Sequence, residues 1–165
     1  MNNRIAPSRK RIILSIIICL LTIWLIISAI WFFHFWSYNK YFDENFEHLH
    51  GYTSHIDRST PILYGVWTPV YLDFGGNLSC NSEDQQITIL VWPSLFGGDI
   101  KQIGLILKSD ITYRIYVDSE MNYDISLNPG ISAEQDENIK KIMGIKQDEI
   151  KELWELMKFR FGIMQ

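Results

Sequence analysis

The first 42 residues contain no aspartate and no glutamate, and residues 12–30 contain no charged residue of either sign, no proline and no glycine. The outer face of a helix on a soluble protein needs charge, so an uncharged run of this length is foreign to soluble domains. Cysteine is almost as scarce. Cys19 and Cys80 are the only two, too few for a disulfide framework or a Cys-based zinc site. They are also unable to pair with each other if residues 12–30 cross a bilayer.

Motifs that carry chemistry are missing as well. Asp73-Phe74-Gly75 spells a magnesium-binding tripeptide of protein kinases, but the chain has neither the catalytic loop nor the glycine-rich loop that gives it meaning. Ser54-His55-Ile56-Asp57 holds the residue types of a nucleophilic triad as close neighbours, whereas triads assemble in space. Asn77-Leu78-Ser79 matches a glycosylation acceptor, a pattern common by chance.

What is present is an apolar run, IILSIIICLLTIWLIISAI, over residues 12–30. Nineteen helical residues rise about 28 Å, close to the ~30 Å hydrocarbon core of a bilayer. Arg9, Lys10 and Arg11 precede the run, and Trp31, Trp36, Tyr38 and Tyr41 follow it. Basic residues favour the cytoplasmic side and amphipathic rings favour the headgroup level. The expected topology is a cytoplasmic basic tail at 1–11, a transmembrane anchor at 12–36, a juxtamembrane connector at 37–60 and a non-cytoplasmic domain at 61–165. The expected location is the cell membrane, the inner one in a Gram-negative cell. Cleavage after Ser28-Ala29 is disfavoured by the length of the run and the bulky rings that follow. Lipoprotein processing at Cys19 is disfavoured by Ile18, which stands where a small residue is expected.

Charge divides along the chain. All 19 acidic residues lie after residue 42, and eleven of the 15 basic ones follow the apolar run, a formal charge of −8 for the part after residue 30 against −4 for the whole. Such a domain repels phosphate backbones, which argues against nucleic acid, and leaves a basic protein as the partner that charge favours.

The rest of the chain reads as strands followed by helices. Residues 62–74 are β-branched and aromatic but interrupted by Gly65 and Pro69, the mark of short or edge strands. Residues 86–92 read as a central strand. Residues 103–108 and 111–118 flank Ser109-Asp110 at hairpin spacing, and the alternation resumes over 121–127. This predicts a three-stranded antiparallel meander with one wet face. Ser132 with Gln135 forms a capping box, Gly144 reads as a C-terminal cap, and a second helix runs from about Gln147 to Phe161. Its stripe of Ile150, Leu153, Trp154, Met157 and Phe161 has the spacing of a helix laid on a sheet. The predicted fold class is α+β: one transmembrane helix, then four or five antiparallel strands covered by two C-terminal helices.

Two candidate sites emerge. His48, His50, His55 and Asp57 are types that ligate zinc, copper or nickel, but their segment lacks the regular structure that fixes ligands, so a solvated connector is expected and no cofactor. Trp92, Leu95 and Phe96 lie beside Gly97-Gly98 on a loop suited to partner binding, with packing over the core edge as the favoured alternative. The leading functional expectation is a non-catalytic, protein-binding envelope protein, of which an immunity or inhibitor type is one concrete version. The alternatives are a metal-dependent or hydrolytic envelope enzyme using the His-rich connector, and a structural subunit of a membrane complex.

Overall fold

The computed structural model describes residues 9–49, 53–95 and 100–163. The apolar run lies within helix α1, Arg9–Ser37, which ends in a 3-10 turn at Tyr38–Tyr41. Its thirteen large apolar side chains between Ile12 and Ile27 are each 41–62% exposed. The helix is long and apolar enough to cross a membrane, and no part of its most apolar stretch is buried in the protein.

Seven strands follow: β1 Phe46–His48, β2 Ser54–Asp57, β3 Leu63–Trp67, β4 Asn77–Asn81, β5 Ile87–Pro93, β6 Ile100–Lys108 and β7 Thr112–Val117. They pair antiparallel in sequence order, one continuous meander. The strand count exceeds the four or five expected. Three strands lie where none was expected: β4, and in the polar segment read as a connector β1 and β2, which are only three and four residues long. Short polar strands carry no alternation of their own and form because a neighbour offers its hydrogen bonds.

The register lines up one row of side chains across the sheet. Asp57 faces Tyr64, then Cys80, Ile89, Leu105 and Ile115 follow in order. Every apolar member of that row is buried. Cys80 is a free thiol whose ionisation burial pushes up to about 12, so it behaves as a small apolar residue.

A single 29-residue helix, α2 Ala133–Phe161, closes this face. It replaces the two helices expected. Gly144 does not end it; the stripe Ile139, Met143, Ile150, Leu153, Trp154, Met157 and Phe161 is buried without interruption. A Cβ at Gly144 would touch nothing within 4 Å, so neither packing nor backbone demands a stop there. The stop is Gly162, which takes the left-handed conformation at φ 61° and donates its N–H to the Lys158 carbonyl. The expected capping box is present: Ser132 accepts from the Gln135 N–H, and the Gln135 side chain accepts from the Ser132 N–H.

The third strand of the expected meander is absent. After β7 the chain makes one bridge, Val117 with Tyr123, and then a 3-10 turn at Ile125–Leu127. Met121 sits at φ 62° and breaks the extension. Asn128 takes the place of a neighbouring strand. Its side-chain amide donates to the Tyr116 carbonyl (2.8 Å) and accepts from the Tyr116 N–H (2.7 Å), capping the sheet's open edge.

Candidate functional site

Two regions stand out: the junction between α1 and the sheet, and the sheet face that α2 leaves uncovered.

The junction is built from the end of α1 and the β3–β4 loop, residues 68–76. The Trp31 indole N–H donates to the Val70 carbonyl at 2.6 Å. The Ser28 and Tyr71 hydroxyls bond at 2.9 Å, and the Trp31 and Tyr71 rings meet edge to face. His34 is buried, and its ring nitrogens stand 3.2 Å from the carbonyl oxygens of Leu95 and Phe74, so a ring N–H can tie either loop to the helix. The loop returns to the sheet at Gly76, where a Cβ would lie 2.5 Å from the Tyr38 ring; only glycine allows that approach. Thr68 fixes the loop's start, donating from N–H and hydroxyl to the Thr53 carbonyl.

The loop's tip is a turn over residues 70–73, closed by the Asp73 N–H donating to the Val70 carbonyl. Its third position, where φ is positive, is Leu72 at 62°. Glycine or asparagine normally fills that position, and the left-handed conformation costs another L-residue about 1–2 kcal/mol. Val70, Tyr71 and Leu72 are exposed at 49%, 53% and 41%.

The uncovered sheet face carries Leu90, Trp92, Gly104, Ile106, Arg114 and Tyr116. They help line an open groove of about 300 Å³. The Trp92 indole lies across Gly104, where a Cβ would meet the ring at 2.8 Å. Its ring and that of Tyr116 stand 6.3 Å apart, edge to face.

Of the residues singled out for partner binding, Trp92 is therefore on the sheet face. Leu95 is exposed at 40% with its carbonyl on His34. Phe96 lies outside the described residues.

The histidine group is split. His50 lies outside the described residues. His48 and His55 are cross-strand neighbours with ring centroids 4.7 Å apart, on the α2 side of the sheet. The Phe42 ring lies 4.3 Å from His55. Burial holds the His55 imidazole below its ordinary range, and the neighbouring His48 adds to the effect. Asp57 is engaged elsewhere. It accepts from the N–H and hydroxyl of Ser59, and from Arg160 at 2.8 Å. Arg160 also donates to Asp43 at 2.6 Å. Burial pushes the Asp57 carboxyl upward, but the Ser59 bonds and Arg160 outweigh it and hold it below the usual range. Asp43 is lowered chiefly by its bond from Arg160. Among the described residues, no three of His, Cys, Asp and Glu gather into a group able to hold a metal.

The junction was not read from the sequence. Its one visible signal was a run of apolar residues, Val70-Tyr71-Leu72, placed after a proline instead of inside a strand. No protein-family model matches the chain, and neither a curated protein nor a solved structure is significantly similar to it.

Proposed function

We propose that this chain is a single-pass membrane protein that presents its acidic domain on the non-cytoplasmic side and there binds a protein partner, without chemistry of its own. The observation that carries the membrane part is the exposure of α1. Thirteen contiguous large apolar side chains form an uncovered cylinder, and soluble proteins rarely expose apolar patches beyond a few hundred Å². Lipid is the solvent that fits it, and a helix satisfies its own backbone polar groups there. The three basic residues at 9–11 favour a cytoplasmic N-terminus.

What supports the binding part is the groove on the uncovered sheet face. It joins two aromatic rings, two aliphatic side chains and the Arg114 guanidinium, the mix enriched at protein interfaces. Trp92 lies only three residues before Leu95, whose carbonyl meets α1, so the groove opens near the anchor. A partner held there is held beside the bilayer. The formal −8 of the post-anchor region favours a basic partner, such as a toxin or hydrolase that an immunity-type protein would block.

The test is a photo-crosslinking residue in place of Tyr116 in the full-length protein in cells. The expected result is one discrete protein adduct, lost when Trp92→Ala is added and weakened by salt. Adducts to lipid alone, or none, would remove the groove as a protein site.

A further inference from the structure

We infer that the turn over residues 70–73 is a second membrane contact: an apolar tip that enters the interface of the leaflet on the domain's side, next to the anchor, with bilayer lipid as its ligand. The inference rests on α1 being a membrane span, and adds that the domain is seated on the lipid rather than tethered above it.

Depth carries the argument. Ser28 lies sixteen residues beyond Ile12, roughly 24 Å along the helix axis, whereas the hydrocarbon core is roughly 30 Å thick. A bilayer that begins at Ile12 therefore reaches past Ser28 by several ångströms. The Tyr71 hydroxyl bonds the Ser28 hydroxyl, so Tyr71 stands at that depth. Trp31, one turn nearer the domain, holds the Val70 carbonyl. The turn is thus fixed to the helix at two levels that the membrane occupies.

Chemistry agrees with depth. The tip offers Val70, Tyr71 and Leu72, all exposed and uncharged. In water this is a cluster of apolar side chains with nothing to cover it. At a lipid interface it is an aliphatic wedge with a tyrosine of the kind that settles at headgroup level. The nearest charge, Asp73, is turned back into the loop, accepting from the Gly75 N–H at 2.9 Å. Leu72 holds a strained backbone where glycine would be relaxed, which keeps an aliphatic side chain at the tip. On α1 itself Ile26, Ile27, Ile30 and Phe32 are exposed over the same stretch, so the wedge lies beside the helix's own lipid-facing surface. A lipid ligand follows from this adjacency: the surface next to the tip already faces acyl chains.

Nitroxide depth measurements on the full-length chain in phosphatidylcholine–phosphatidylglycerol vesicles test this. Labels go singly on Leu72→Cys, Val70→Cys, Leu21→Cys and Asp110→Cys, with Cys19→Ser as background. The expected result is a ratio of oxygen to nickel-chelate collisions at positions 72 and 21 several-fold above that at 110, with position 70 following 72. The second tip position guards against a disturbance peculiar to one substitution. If 21 reads as lipid while 70 and 72 match 110, the tip is in water and this inference fails with the anchor intact. If 21 also matches 110, the anchor and the tip fall together. If 72 is shielded from both reagents, a protein surface covers the tip and lipid is the wrong occupant.

Discussion

The Ser28 and Tyr71 hydroxyls lie 2.9 Å apart although 43 residues separate them. This bond joins α1 to the loop between β3 and β4, and the Trp31–Val70 bond adds a second tie between them. Trp31→Phe removes a donor and leaves the Val70 carbonyl with only the Asp73 N–H. A loss of about 1 kcal/mol is expected, confined to the junction. Hydrogen exchange should quicken over residues 68–76 and stay unchanged in β5 and β6; equal quickening throughout would show that the junction supports the whole fold.

Arg160 closes the other end of the α2 face. Asp57 is 2% exposed, and removing Arg160 leaves its carboxylate buried with only Ser59. Arg160→Ala should cost roughly 2–3 kcal/mol, less than the ~3–5 of a fully buried pair because the guanidinium keeps some solvent access. The pH dependence has a definite sign. The folded-state values of Asp43 and Asp57 are depressed, so their stabilisation is complete above the unfolded carboxylate value near 4 and is lost as pH falls through the folded values. Arg160→Ala should move the acid unfolding midpoint upward. An unmoved midpoint would mean that Ser59 alone holds Asp57.

His55 shifts stability in the same direction as the carboxylates, at higher pH. Its folded value is depressed by burial, then by His48, so folding favours the neutral ring. The unfolded chain then binds the proton more readily, and stability falls as pH drops below about 6.5. His55→Gln should flatten this part of the profile without altering the acid limb set by the carboxylates. A profile that keeps its slope in the variant would assign it to another group.

On the uncovered face, Gly104→Ala places a methyl group 2.8 Å from the Trp92 ring. The indole must rotate off the sheet, at a cost of about 1–3 kcal/mol as overpacking. The groove should change shape while the α2 side of the sheet stays as it is. A near-ultraviolet circular dichroism change with little far-ultraviolet change would show this; a loss of both would show that Gly104 serves the core instead.

The parts of this fold legible in sequence are those whose residues interact with near neighbours. The capping box at Ser132 and Gln135, the stripe from Ile150 to Phe161 and the hairpin around Ser109-Asp110 are local, and each is present. The parts that were not legible depend on distant partners. Phe46–His48 becomes a strand only because Ser54–Asp57 pairs with it, and that strand in turn leans on Leu63–Trp67. Residues 121–127 alternate as a strand does, yet Met121 turns left-handed and Asn128 supplies the edge pairing through its side chain. Alternation marks which side chains are apolar, not whether a neighbouring backbone is waiting. The junction was hidden for the same reason: no spacing rule links Ser28 with Tyr71 across 43 residues. Of the candidate sites, Trp92 reads in sequence both as the end of the 86–92 strand and as the start of a binding loop; it lies near the end of β5 on the sheet surface.

The proposed placement of α1 in lipid, with the sheet outside the cytoplasm, underlies both the proposed function and the inferred second membrane contact. It is measured with Asp110→Cys, on the exposed β6–β7 turn, in intact protoplasts given a membrane-impermeant thiol reagent. The parent chain is the blank, since Cys80 is fully buried and Cys19 lies within the apolar run. Position 110 should label fully before lysis, while the chain stays in the membrane fraction through an alkaline wash. Labelling only after lysis, or a chain that leaves with the wash, would contradict the placement.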